Sequence, residues 1–303
     1  MSVQYEILKK LVKLSGMKNR GTMSAAEIVA LKKKENAKNR IPAIHDEEIE
    51  TIRTDVMGFL VLKMMHRAKK DKACLFIIGG GMVSEPKPAS IRKALRFAKE
   101  TEMDLYIPYY PLCTEYPVSK AYEMILACYQ TMLKDYQAEN ISVLGTSSGG
   151  NLALGMIAYM NAEKIKLPRP AYIMALSPGT CPCTKEEIRR MNELDRKDVI
   201  ISAEYMLTAE EVMRHGTEVP DYMIYLQKGD FTDCPKTTLI YGSDEVLYAI
   251  APSLEEAMKK YHVDYEMIVG EGLYHCYPVF PVCPEGKAGW RMMVRLMREN
   301  MHI

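Results

Sequence analysis

With 303 residues, 48% apolar and 26% charged, the chain is long enough for one large core with an elaboration, in the composition range of ordinary globular proteins. Forty lysines and arginines stand against 39 aspartates and glutamates, so there is no overall field to gather nucleic acid or anionic lipid. No run of about 18 apolar residues occurs, which excludes a membrane-spanning helix, and Met1 to Arg20 has scattered charge and no apolar centre, unlike a signal peptide. A cytoplasmic protein is therefore expected, with its eight cysteines reduced and mostly buried. Their spacings match no zinc pattern. The basic stretch from Lys9 to Arg40 reads as solvated helix faces.

Val3 to Leu14 places apolar residues at helical spacing, and Ser24 to Glu35 opens with a Ser-x-x-Glu capping signal. Pro42 marks a break. Glu50 to Thr54 and Val56 to Met65 read as a hairpin-like pair of strands. Ala73 to Ile78 is a continuous apolar run ended by three glycines, the pattern of a strand buried on both faces. Strands are then expected at Asp104 to Ile107, Ile141 to Leu144, Ala171 to Leu176, Thr237 to Tyr241 and Tyr265 to Val269. Helices are expected at Ser119 to Tyr136, Asn151 to Asn161, Pro252 to Tyr261 and Lys287 to Asn300. This alternation predicts an α/β fold, a mostly parallel central sheet flanked by helices. Residues 181–234 interrupt it with helical pieces only (Lys185 to Leu194, Ser202 to Tyr205, Thr208 to His215), too long for an ordinary connection. The insertion reads as a helical cap. Its Met191, Tyr205, Met206 and Met213 are candidates either for lining an apolar pocket or for packing the cap's own core.

The strongest chemical signal is Gly145-Thr146-Ser147-Ser148-Gly149-Gly150, a Gly-x-Ser-x-Gly motif between a strand and a helix. Small neighbours permit a turn so sharp that the Ser147 hydroxyl stands above the sheet, at the start of a helix whose dipole favours developing negative charge. The Ser148 N–H would point into an oxyanion hole. Gly79-Gly80-Gly81 follows the buried strand, and the Gly80 and Gly81 N–H groups can approach the same oxyanion unobstructed. His275 lies in a loop after the last strand, where a general base would complete the chain order Ser…acid…His. Asp244 and Glu245 both follow the preceding strand, and periodicity does not choose between them.

From about Asp71 to the end, the chain resembles the hormone-sensitive-lipase-like branch of the α/β-hydrolases, the bacterial esterase and lipase group. The segment 145–151 looks like that branch's Gly-(Asp/Thr)-Ser-Ala-Gly-Gly-Asn elbow, with Ser148 in place of alanine. Ile78-Gly79-Gly80-Gly81 looks like its His-Gly-Gly-Gly motif with isoleucine in place of histidine. Residues 109–117 look like its Asp-Tyr-Arg-Leu-Ala-Pro-Glu-x-Pro stretch, matching at Tyr110, Leu112, Glu115 and Pro117. Glu245-Val246-Leu247 lies over the branch's Asp-Pro-Leu without a gap, so the resemblance favours Glu245 as the acid, with Asp244 as the alternative.

The resemblance implies an α/β-hydrolase core at 46–180 and 235–303, and a cap made of the N-terminal segment 1–45 with the insertion 181–234. It implies a carboxylic ester hydrolase that works on a small-molecule ester through a Ser147–Glu245–His275 triad and an acyl-enzyme, with no metal or organic cofactor. Self-association of the chain is left open. The elbow alone does not separate an esterase from a deacetylase, amidase or peptidase. Some relatives have lost the catalytic histidine and become non-catalytic small-molecule binders, whereas this chain keeps a histidine in the matching place.

Overall fold

The computed structural model describes residues 1–16, 18 and 23–303. An eight-stranded sheet forms its centre. The strands are β1 (Ile49–Val56), β2 (Phe59–His66), β3 (Ala73–Ile77), β4 (Asp104–Pro108), β5 (Ile141–Thr146), β6 (Tyr172–Leu176), β7 (Lys236–Gly242) and β8 (Tyr265–Gly270). Their spatial order is β1-β2-β4-β3-β5-β6-β7-β8. β1 and β2 pair antiparallel, as do β2 and β4, and all the other neighbours run parallel. The β1–β2 hairpin turns on Met57 and Gly58, both at positive φ, so Val56 closes the first strand instead of opening the second as the sequence suggests.

The helices are α1 (Val3–Leu14), α2 (Ala25–Ala37), α3 (Pro88–Thr101), α4 (Val118–Met132), α5 (Ser148–Ala162), α6 (Lys185–Asp195), α7 (Ala203–Arg214), α8 (Asp221–Ile224), α9 (Ala251–Lys260) and α10 (Pro284–Met301). Ser24 caps α2 with the expected reciprocal capping box. Three helices differ from expectation, among them the short α8, which the sequence reading did not single out. α3 has no counterpart in the sequence reading: it begins on Pro88 and buries Ile91, Ala94, Phe97 and Ala98, a stripe diluted by lysines and arginines. α7 is one helix where two pieces were expected, because Met206, Ala209 and Met213 form a single buried face across the junction. No helix among the described residues is long and apolar enough to cross a membrane.

Every residue of β3, β4, β5 and β6 is buried, because helices cover both faces of the sheet. On one face α4, α5 and α9 pack into a core that also takes in residues of α2 and α7. On the other, α3 and α10 meet through Phe97 and Trp290, whose rings cross edge to face with centroids 6.3 Å apart. The parallel strands all end at the same edge of the sheet. The loops after β3, β5, β7 and β8 therefore converge there, the usual location of a ligand crevice in such sheets.

α5 runs almost entirely buried behind β5, and its first turn nearly touches β3. A Cβ on Gly149 would lie 2.0 Å from the carbonyl oxygen of Ile77. Gly149→Ala should therefore push α5 off the sheet, lowering stability by roughly 3 kcal/mol. Thermal melting is the check, and an unchanged midpoint would show that the contact tolerates a methyl group.

Candidate active site

Ser147 lies between β5 and α5 at φ 53° and ψ −125°, a conformation that ordinary side chains avoid. Its surroundings over-determine it. The Ser147 N–H donates to the Leu176 carbonyl oxygen at 2.8 Å, and its own carbonyl oxygen accepts from Gly150 N at 2.8 Å and Gly179 N at 2.9 Å. The glycine loop after β3 faces this turn closely, since a Cβ on Gly79 would lie 2.2 Å from the Thr146 carbonyl oxygen. Gly81 takes φ 62°, and a Cβ there would lie 2.4 Å from the Tyr205 hydroxyl.

His275 is buried, and its Nδ1 lies 2.5 Å from Oε2 of Glu245. The Glu245 carboxylate is fully enclosed. Its Oε1 accepts from the Ser177 hydroxyl at 2.8 Å and from the Gly242 N–H at 3.0 Å. Asp244, one residue earlier, turns outward to a 2.7 Å ion pair with Lys9 and does not meet the imidazole. Of the two carboxylates left open by the sequence, the fold brings only Glu245 to His275. Ser147 and His275 line one cavity of about 300 Å³ together with Gly80, Gly81 and Ser148. The Ser147 hydroxyl makes no hydrogen bond to a described residue here. His275 Nε2 lies 3.5 Å from the Cys276 thiol. The N–H groups of Gly81 and Ser148 donate to no described residue, whereas Gly80 N–H donates to the Ser148 hydroxyl at 2.9 Å.

Much of the remaining cavity wall is apolar, built from Ile200, Ile201, Tyr205, Met206, Met213 and Leu247, with Lys18, Ser84 and Ser202 adding polar groups. Three of the four candidate cap residues thus reach the cavity. Met191 packs in the core instead, 1% exposed. Lys32 from α2 also lines the cavity, so the N-terminal segment and the 181–234 insertion share its boundary.

Two polar side chains around the site had escaped the sequence reading. Ser177 bridges Glu245 and the loop, accepting from Cys276 N–H at 3.0 Å while donating to the carboxylate. Asp198 is 2% exposed; its Oδ2 accepts from Val246 N at 2.8 Å, and its Oδ1 from Ile200 N at 2.7 Å and Ile201 N at 3.0 Å. It thereby ties the residue after Glu245 to two residues of the cavity wall. Burial pushes the Asp198 carboxyl up, against the pull of those three donors and of His275. A local signal for Asp198 exists, a short aspartate ahead of a turn that accepts from N–H groups two and three residues on. The bond to Val246 is invisible without the fold. Asp198→Ala leaves three N–H groups without their acceptor and should destabilise the protein by roughly 2–4 kcal/mol, read by chemical denaturation. A loss below about 0.5 kcal/mol would mean that water replaces the carboxylate.

Burial of His275 disfavours the imidazolium, but the Cys276 sulfur and the Glu245 carboxylate favour it, and the balance lies well above histidine's ordinary value. Glu245 thus makes the charged ring less costly than burial alone would allow, and that stabilisation is lost as pH rises through the elevated pKa. An NMR titration of the His275 ring should give a midpoint above that of a free histidine. Glu245→Gln should lower it by at least about one unit, since the ring loses its counter-charge. An unmoved midpoint in the variant would mean that the carboxylate does not govern the ring.

A family model described as the alpha/beta hydrolase fold matches residues 74–279. An acetyl-hydrolase of Streptomyces hygroscopicus is 23% identical over 294 residues, covering 94% of this chain and 93% of that protein. Among solved structures, an esterase from the bacterial hormone-sensitive lipase family superposes with TM-score 0.80 at 20% identity, over 99% of each chain. The esterase EstE5, soaked with ethyl alcohol, superposes with TM-score 0.83 at 19% identity over 100% of each chain. The family match takes in the glycine loop, the strained serine turn, the buried carboxylate and the histidine loop, and the chain belongs to the α/β-hydrolase fold family.

Proposed function

We propose that this chain is a carboxylic ester hydrolase of the hormone-sensitive-lipase-like branch, acting through Ser147, His275 and Glu245. One observation carries the reading. A strained serine at a helix N-terminus and a histidine bonded to a buried carboxylate line the same cavity as Gly81 and Ser148, whose N–H groups donate to no described residue. The likeness to proteins described as acetyl-hydrolase and esterase supports the same reading. Asp244 is set aside as the acid because it is paired with Lys9.

His275 Nε2 takes the Ser147 hydroxyl proton as Oγ attacks the ester carbonyl carbon, and the carbonyl π pair moves onto oxygen. The N–H groups of Gly81 and Ser148 receive that oxyanion. Gly80 N–H, the third donor expected from the sequence, is committed to Ser148 Oγ in this structure and adds to the hole only if it changes partner. Collapse expels the alcohol, which leaves with the proton from His275. Water, deprotonated by His275, then attacks the acyl-enzyme, and a second tetrahedral intermediate collapses to free the acid and return the proton to Ser147. Glu245 holds the imidazole orientation and stabilises its charged form. These steps use only side chains and peptide groups of the chain.

In this reading the segments 1–45 and 181–234 form the cap, and its Met and Ile residues select an apolar acyl or alcohol group small enough for the cavity. The eight free cysteines fit a reducing compartment and favour a cytoplasmic enzyme. Hydrolysis of p-nitrophenyl esters from acetate to palmitate by wild type and Ser147→Ala tests the function. Wild type should turn over short and medium acyl esters and fade at palmitate, and the variant should lose about 10⁴-fold or more in kcat. A wild type inert on all of them, with activity on amides or acetylated sugars, would move the reading to another acyl hydrolase. Inertness on every acyl substrate would make the cavity a binding site.

A further inference from the structure

Ile78 opens the glycine loop with a hydrocarbon side chain, so the loop's polar ties come from other residues. They come from hydroxyls on the facing turn. Gly79 N–H donates to Thr146 Oγ1 at 3.0 Å, and Gly80 N–H donates to Ser148 Oγ at 2.9 Å. The residues on either side of the nucleophile thus each hold one glycine of the loop opposite. Behind them, the Tyr110 hydroxyl lies 3.2 Å from Ser148 Oγ and 3.3 Å from the Ile78 carbonyl oxygen.

Ser148 and Tyr110 are only 3% and 4% exposed, so bulk water does not share these bonds. Burial also raises the Tyr110 phenol pKa, which keeps it a donor. One arrangement gives every proton an acceptor: Gly80 N–H to Ser148 Oγ, Ser148 O–H to the Tyr110 oxygen, and Tyr110 O–H to the Ile78 carbonyl. If Tyr110 donated to Ser148 instead, the serine proton would lack an acceptor within this trio, an expensive omission in a buried site. The preferred chain of bonds leaves the loop at Gly80 and returns at Ile78, closing a ring across Gly79.

We propose that the Ser148 side chain, acting with Tyr110, is the positioning group of the oxyanion loop. It locks the Ile78–Gly80 segment so that Gly81 N–H stands opposite Ser148 N–H, and it withholds Gly80 N–H from the oxyanion to do so. The inference rests on the ester hydrolase reading. It assigns one side chain two separable contributions, since the backbone N–H of Ser148 touches the reacting oxygen while its hydroxyl acts through the loop.

Ser148→Ala keeps the N–H and removes the hydroxyl, and Tyr110→Phe cuts the same chain of bonds one residue further on. With p-nitrophenyl butanoate, each variant should lose about tenfold or more in kcat, short of the 10²–10³ expected for losing an oxyanion donor outright. KM should stay close to wild type, and melting temperature should fall by only a few degrees, because each variant leaves one buried donor without its acceptor. Phenylboronic acid, whose tetrahedral serine adduct mimics the intermediate, should bind more weakly by a similar factor. The double variant should be no slower than the slower single variant, because both cut one chain of bonds.

A Ser148→Ala enzyme as fast as wild type overturns the inference. A faster one also overturns it, by showing that the hydroxyl only competes for Gly80. So do additive losses in the double variant, or a fall in melting temperature with kcat intact. An inert wild type sinks the ester hydrolase reading and this inference with it, whereas an active wild type matched by Ser148→Ala sinks the inference alone.

Discussion

The site depends on one backbone conformation, the left-handed turn at Ser147. Such a residue costs of order 1–3 kcal/mol and persists only where its neighbours leave no alternative. Those neighbours are the Leu176 carbonyl at the end of β6, the N–H groups of Gly150 and Gly179 on the Ser147 carbonyl, and the close seating of α5 on β3 at Gly149. They come from β3, from the first turn of α5 and from the end of β6 with the loop after it, so the strain is shared by three neighbouring strands and the helix between them. The return is geometric. The hydroxyl stands at the start of a helix whose first N–H groups lack intrahelical partners and already point toward negative charge.

Around this turn the polar groups are enclosed and nearly all accounted for. Glu245, with no exposed surface, meets His275, the Ser177 hydroxyl and the Gly242 N–H. Asp198, almost as deeply buried, meets three N–H groups. A buried carboxylate is tolerable only when its lone pairs are engaged, and here the engagement fixes geometry as well. Ser177 couples the carboxylate to the backbone beside His275, and Asp198 couples the residue after Glu245 to Ile200 and Ile201 on the cavity wall. Glu245, His275 and the cavity wall are joined through the hydrogen bonds of deeply buried carboxylates.

The loops that carry the chemistry are braced from outside the sheet. The Tyr5 ring of α1 stacks on Tyr274 at 5.3 Å, and its hydroxyl donates to the Gly272 carbonyl, holding the loop that leads into His275 at two points. From α7, the Tyr205 hydroxyl donates to the Gly81 carbonyl at 3.4 Å, and α2 lies against α7. The first helices and the insertion thus enclose a cavity and also hold the histidine loop and the glycine loop in register with Ser147.

Much of this was written locally in the sequence. The buried strands announced themselves as apolar runs, and the glycines around Ser147 announced a tight turn, because both patterns report on residues adjacent in the chain. The sequence by itself determined the alternating layout and singled out Ser147 and His275. It left Glu245 and Asp244 unresolved, since neighbouring residues after a strand point in different directions and only the path of the loop decides which faces inward. It gave no hint of Ser177, or of the bond from Asp198 to Val246, and it presented the Ser148 hydroxyl as a mere departure from alanine. Those roles belong to tertiary structure for one physical reason. A hydrogen bond between groups 48, 68 or 99 positions apart has no periodicity to betray it, and it exists only once the sheet has brought its strand ends to a common edge.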